Sequence, residues 1–286
     1  MAWLTGWSSK TLVASWTYST RGQLWRLLPS VRGFLLLEDR NVESKTVSFA
    51  CVDAITGKTR WQDLSFEERW WIGMEGVHED VVFIHGYAAP DMPDHKKITA
   101  LDVFSGKVLW TNAELKYLFA HEDAVYAARD DHDRRVFFEL DLRDGAVLRE
   151  IDDSSIGVLR SAVKNDRPAD VHFPLLLPGT GQLAAQAPEA VDRIVRWIDN
   201  VEIVEFLEHD LHWIVGYHVR LQAASGRPLY RQHLAISRKD ADRICFADVM
   251  TREALTCVPD MFFSMADHLY YIKERNSVSA VNLGRS

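Results

Sequence analysis

Ile98 to Trp110 reads I-T-A-L-D-V-F-S-G-K-V-L-W, and Phe49 to Trp61, 49 positions earlier, reads F-A-C-V-D-A-I-T-G-K-T-R-W. The two segments match at Asp53/Asp102, Gly57/Gly106, Lys58/Lys107 and Trp61/Trp110. A third copy, Phe137 to Arg149, keeps Asp141 and Gly145 at the same mutual spacing and puts Arg149 where the tryptophan stood. Self-similarity at a period of roughly 20 to 50 residues is the mark of a repeat architecture. Each copy is an alternating run, a short polar turn ending in glycine, and a second alternating run, which is how a β-hairpin is written. The glycine supplies a positive φ, and the aspartate binds turn amides. A tryptophan at a fixed distance past the glycine always faces the same side of its strand, so it is expected to pack on a neighbouring unit.

Two alternating runs precede each hairpin: Gln23 to Pro29 with Phe34 to Arg40, Trp70 to Gly76 with Val81 to Tyr87, and Tyr117 to His121 with Ala124 to Arg129. Four antiparallel strands per 40 to 50 residues, repeated, describe a β-propeller blade. The segment 151–200 breaks the rhythm with Pro168, Pro174, Pro178 and Pro188, and reads as an irregular blade. Within it, Val171 to Leu177 is written as a strand, and Pro188 followed by Glu189 and the apolar Val191, Ile194, Val195 and Ile198 as a short amphipathic helix with proline in its first turn. Strands resume at Glu202 to Leu207, Leu211 to Val219, Leu229 to Ser237 and Arg243 to Met250. Met261 to Met265, His268 to Lys273 and Ser277 to Leu283 leave a last blade one strand short, which Thr11 to Tyr18 would complete by pairing with Ser277 to Leu283. The expectation is therefore an all-β chain, 1–286, forming one closed β-propeller with six blade positions, five or seven remaining open.

The A-L-D, S/T-G-K and W pattern resembles the repeat of the quinoprotein-like (PQQ-repeat-like) β-propellers. The wider pattern is similar to an uncharacterised bacterial propeller family: Trp70-Trp71, His85-Gly86-Tyr87, E-F-L-E at Glu205 to Glu208 and P-D-M-F-F at Pro259 to Phe263. The resemblance implies a blade scaffold and brings no assigned role. It raises pyrroloquinoline quinone as a cofactor, but the adjacent cysteines and calcium site of the quinone dehydrogenases are not found here, so no cofactor is expected.

The chain's 286 residues are 47% hydrophobic and 26% charged, the balance of a protein with a buried core, and disorder throughout is excluded. A net charge of −8 disfavours nucleic acid and anionic membrane as main partners. The residues from Met1 to Trp16 lack the charged and apolar regions of a secretory signal. No apolar run reaches the roughly 18 residues of a membrane span. Cys51, Cys245 and Cys257 form neither a C-x-x-C pair nor a metal comb, so a cytoplasmic, reducing location is expected.

Candidate site residues come from two polar connections and one aromatic pair. Asp91, Asp94 and His95 fall in Tyr87 to Lys97, and Asp131, His132 and Asp133 in R-D-D-H-D-R-R at Arg129 to Arg135. Both segments join the second and third strands of a blade, and such connections emerge together on one face. Carboxylates and histidines there can hold a cation or orient a polar substrate, although solvated hairpin tips have the same composition. Trp70 and Trp71 end D-L-S-F-E-E-R-W-W, and strand alternation sends them to opposite sides, one toward core packing and one toward a surface where it can stack on a partner. His209, His212 and His218 are the densest histidine group, but positions 212 and 218 of one strand lie about 20 Å apart, too far to share an ion. No metal site is assigned. No nucleophile elbow, P-loop or H-E-x-x-H helix occurs, and catalytic residues stay unknown. The leading expectation is a non-enzymatic scaffold that binds a protein or peptide on its loop face. The alternative is a small-molecule binder or metal-assisted enzyme with its site at the axial mouth.

Overall fold

The computed structural model describes residues 11–88, 94–131, 134–163, 170–178, 189–196, 198–222, 227–240 and 243–284. The chain divides into two compact units, residues 20–169 and residues 1–19 with 170–286. After β1 (Ala14–Ser19), which belongs to the second of these, the chain makes three four-stranded antiparallel sheets in simple up-and-down order. They are β2 (Gln23–Pro29), β3 (Phe34–Asn41), β4 (Thr46–Asp53) and β5 (Thr59–Leu64); β6 (Ile72–His78), β7 (Val81–Tyr87), β8 (His95–Asp102) and β9 (Val108–Asn112); and β10 (Lys116–His121), β11 (Ala124–Asp131), β12 (Arg134–Asp141) and β13 (Val147–Ile151).

Strand alternation decides which layer each residue joins. Val82 and Ile84 of β7 pack with Phe34, Leu36, Phe49 and Cys51 of the first sheet, whereas Val81 and Phe83 pack with Trp110, Val125, Ala127 and Leu140 toward the third. The repeated hairpin explains itself at these interfaces. Gly57, Gly106 and Gly145 have φ of 68°, 69° and 71°, the left-handed region that glycine enters without strain. Asp53 Oδ1 accepts from the Thr56 amide at 2.8 Å and Asp102 Oδ1 from the Ser105 amide at 2.7 Å, fixing each turn. The Trp61 indole donates to the Val103 carbonyl at 2.8 Å and lies over Gly106. Trp110 donates to the Leu142 carbonyl at 3.0 Å and lies over Gly145. Each tryptophan thus clasps the turn of the next sheet in this unit. The third copy carries Arg149, which pairs with Glu139 of its own sheet instead.

Beyond β13 comes a helix that the sequence reading did not anticipate, α1 (Asp153–Val163). Asp152 caps it, its Oδ1 accepting from the Ser155 amide at 3.0 Å, and Ile156 packs against Phe119, Tyr126 and Ile151, on the face of the third sheet opposite Val125 and Ala127.

The remaining strands form two sheets. β14 (Val171–His172) joins β20 (Phe262–Met265), β21 (His268–Lys273), β22 (Ser277–Asn282) and β1. β15 (Leu175–Pro178) leads into β16 (Val201–Glu208), β17 (His212–Leu221), β18 (Leu229–Arg238) and β19 (Ile244–Ala254). The expected N-terminal pairing is present: Thr17 faces Ser279 and Tyr18 faces Val278. The expected short helix is α2 (Glu189–Val195), with Val191, Ile194 and Val195 against Phe206 and Val215.

Where six blade positions were expected, the described residues form five sheets, and 151–200 does not appear as a sheet of its own. Pro174 has no amide hydrogen to continue a ladder, and it splits the expected strand 171–177 into β14 and β15, which join different sheets. Five antiparallel up-and-down sheets suit a propeller-like, all-β architecture. No helix among the described residues is long and apolar enough to cross a membrane.

Candidate functional site

Within residues 20–169, two β-bulges set the chemistry of the second sheet. Met74 faces Ile84 and Gly76 faces Phe83, leaving Glu75 as the extra residue of β6; a bulge of this kind re-aims a side chain. Between β7 and β8, His85 faces Ile98 while Gly86 faces Lys96, so Lys97 is extra, and it takes a φ of 68°. His95 thereby lies beside His85. The two imidazoles stack with centroids 3.6 Å apart and planes 10° apart. Glu75 Oε1 is hydrogen-bonded to His95 Nδ1 and lies 3.2 Å from His85 Nδ1 without hydrogen-bond geometry, so both buried ring nitrogens of His85 lack a hydrogen-bond partner. Donor atoms of Glu75, His85 and His95 all fall within 4.8 Å of one another.

Around this trio stand aromatic rings. Tyr87 lies 5.0 Å from His85, 5.2 Å from His95 and 5.8 Å from Trp71, centroid to centroid. Glu68 Oε1 accepts the amides of Trp70 and Trp71 at 2.9 and 2.8 Å, fixing the turn that presents both indoles. The pair divides, although both residues lie in the turn before β6. Trp71 joins Tyr87, whereas Trp70 packs on the core between the first two sheets and lies 5.4 Å from the Arg40 guanidinium.

Beneath the trio is a buried ion pair. Arg40 Nε donates to Glu38 Oε1 at 2.6 Å, and the Arg40 side chain also donates to the Ile72 carbonyl at 2.6 Å and the Trp70 carbonyl at 3.2 Å. The other Glu38 oxygen accepts the Met74 amide at 2.7 Å. Gly73 separates this pair from the imidazoles: a Cβ there would sit 2.9 Å from His85 Cε1 and 3.1 Å from Arg40 Nη2. Burial, reinforced by His95, Arg26 and Arg40, drives the His85 pKa from 6.5 down to about 3, so this ring is neutral at pH 7.

Asp94 and Asp130 both bind Lys116, the first at 2.7 Å, and Asp130 also takes Arg135 at 2.8 Å. Of the expected site residues, the structure therefore gathers Trp71 and His95 in one aromatic and imidazole cluster, puts Asp94 in an ion network that links the second and third sheets, and ends β11 at Asp131. Trp70 is mainly a packing residue. Asp91, His132 and Asp133 lie outside the described residues. Sequence reasoning missed Glu75 and His85 as site members. Their signals were a histidine ending the apolar run V-V-F-I and a glutamate before the small residue Gly76.

A separate cleft of about 450 Å³ in the first sheet is lined by Arg21, Asp39, Ser48, Asp63, Phe66 and Arg69, and an Arg21–Asp63 ion pair spans 3.0 Å of it.

In the unit formed with residues 170–286, His212 and His218 are buried with pKa values near 4, and no described group there brings three ligands together. Glu205 is 1% exposed, and burial raises its pKa from 4.5 to about 7 despite bonds from the Asp260 amide at 2.6 Å and Gln232 Nε2 at 3.2 Å. Because the folded state holds this proton more tightly than the unfolded chain, the contribution is full below pH 4.5 and is lost as pH rises to about 7. The loss is worth about 3 kcal/mol. Glu205→Gln should match the parent at pH 4.5 and exceed it in stability by up to that amount at pH 8, read from urea unfolding; an equal difference at both pH values would refute the assignment.

Residues 29–110, which include Trp70, Trp71, Glu75, His85 and His95, match the family model described as "Domain of unknown function (DUF4905)". No curated protein matches the chain. Among solved structures it is similar to BamB from Moraxella catarrhalis, at 10% identity over 95% of this chain and 100% of that one, with a TM-score of 0.33. It is also similar to the β-propeller domain of the Trilobed protease from Pyrococcus furiosus, at 9% identity over 94% and 70% of the two chains, with a TM-score of 0.30. An uncharacterized protein from Listeria monocytogenes EGD-e shares 8% identity over 91% and 97%, with a TM-score of 0.35.

Proposed function

We propose that this chain is a non-enzymatic scaffold of the quinoprotein-repeat propeller kind. In this reading it recognises a protein or peptide at the end of residues 20–169 where the second-to-third-strand connections emerge. One observation carries it. Trp71, Tyr87 and His95 cluster at strand ends beside the alternating charges of Lys116, Asp94, Asp130 and Arg135. Tryptophan, tyrosine and arginine are the residues that carry binding energy at protein interfaces, and fixed charges of both signs give such a surface its selectivity. Cys51 and Cys245 are buried free thiols, in keeping with the reducing, cytoplasmic location that belongs to the same reading.

A photo-crosslinking residue placed at Lys97, beside the cluster, should capture a discrete partner in cells, and Trp71→Ala should abolish that adduct. The same residue at Lys58, in a hairpin turn of the first sheet, should not capture it. Identical adducts from both positions, or an adduct indifferent to Trp71→Ala, would refute the reading.

A further inference from the structure

We propose that Glu75, His85 and His95 form a binding site for a divalent transition-metal ion of the zinc type, independent of whether a protein partner binds. Three features point to it. Two imidazoles and one carboxylate are the donors such ions take, and one donor atom from each residue lies within 4.8 Å of the other two. His85 is 2% exposed, and neither of its ring nitrogens has a hydrogen-bond partner. A buried imidazole normally finds such a partner, because leaving a polar atom unpaired costs about 1–3 kcal/mol. Its Nδ1 instead faces Glu75 Oε1 at 3.2 Å, without hydrogen-bond geometry. Finally, two separate bulges fall at the trio: Glu75 is itself the extra residue of one, and the other, at Lys97, turns His95 onto the His85 face. Bulges are enriched beside functional sites, where they re-aim a side chain.

The stacked arrangement also says how the ion enters. A metal lies in the plane of an imidazole that binds it, and two parallel rings 3.6 Å apart cannot share one ion while they remain stacked. One ring must turn. His85 is held between Gly73 and Tyr87, whereas His95 starts its strand and its side chain is 33% exposed, so His95 is the mobile ligand. Binding replaces the Glu75–His95 hydrogen bond by two bonds to the ion. With three protein ligands, the fourth tetrahedral position is left to water or an added ligand.

The test is titration of the chelator-stripped, dialysed full-length protein with Zn²⁺ alone, followed by calorimetry. One equivalent should bind, and His95→Ala and Glu75→Gln should each weaken binding by at least about tenfold, as losing even an outer-shell partner does. Both positions are partly exposed, and an unchanged circular dichroism spectrum will show that each variant folds. His172→Ala, at an exposed position in the other unit, should leave the affinity unaltered. Absence of stoichiometric binding, or binding that survives both His95→Ala and Glu75→Gln in folded protein, would overturn the site.

Discussion

Trp110→Ala is expected to lower the unfolding free energy by about 3–5 kcal/mol, the usual cost of emptying a large aromatic site in a core. Trp110 is 7% exposed and fills the space between the second and third sheets with Val81, Phe83, Val125 and Leu140. Its indole is also the donor for the Leu142 carbonyl, and Leu142 is almost completely buried, so truncation leaves that oxygen unpaired. Trp110→Phe retains much of the apolar area and loses the hydrogen bond, and should cost less than half as much. The clasp makes a sharper demand on Gly145. A Cβ at Gly145 would sit 2.5 Å from the Trp110 ring, on a backbone at φ 71°. Gly145→Ala therefore combines backbone strain with a clash against a ring that has no room to retreat. In the Trp110→Ala background the clash disappears and only the strain persists, so the two substitutions must be non-additive. Urea unfolding of the single and double variants measures this coupling. A Gly145→Ala penalty of the same size in both backgrounds would show that the tryptophan does not hold the turn.

The same clasp shows why the first half of the fold was legible. A turn glycine, an aspartate that binds its amides and a tryptophan that reaches the next turn form a chemical unit with fixed internal spacing, so the motif and its packing repeat together. Residues 151–200 have no such unit. Pro174 divided a run that alternation would have joined, and Asp152 began a helix through a cap whose partners, Ser154 and Ser155, read equally well as a loop. The candidate site was half legible for a related reason. Trp71, Asp94 and His95 stand in segments where composition alone attracts notice. Glu75 is the extra residue of one bulge, and the bulge at Lys97 turns His95 onto the face of His85; neither shift leaves a periodic trace in the sequence. In an ideal ladder His95 would point away from the His85 face. Local register, which only the paired strands define, brings it beside His85 and Glu75.

Breaking the Glu38–Arg40 pair is the other change expected to have a large effect, about 3–5 kcal/mol for Glu38→Ala, because it strands a guanidinium in the interior. The Arg40 side chain is 8% exposed and that of Glu38 only 1%. A buried ion pair can often be exchanged for apolar residues at little cost, but this one does more than neutralise itself. Arg40 satisfies the Trp70 and Ile72 carbonyls, and Glu38 satisfies the Met74 amide, all on the chain that enters the second sheet. Replacing both residues by methionine removes the stranded charge yet leaves those three backbone groups without partners. The double variant should therefore recover only part of the loss, and should stay about 1–3 kcal/mol below the parent. Full recovery in urea unfolding would mean that the pair is merely tolerated. Partial recovery would show that it is the anchor by which the first sheet fixes β6, and with it the backbone of Gly73 on which His85 rests. Loss of the anchor then predicts a second consequence, a weaker Zn²⁺ affinity in Glu38→Ala measured under conditions where the variant is still folded, although Glu38 contributes no ligand.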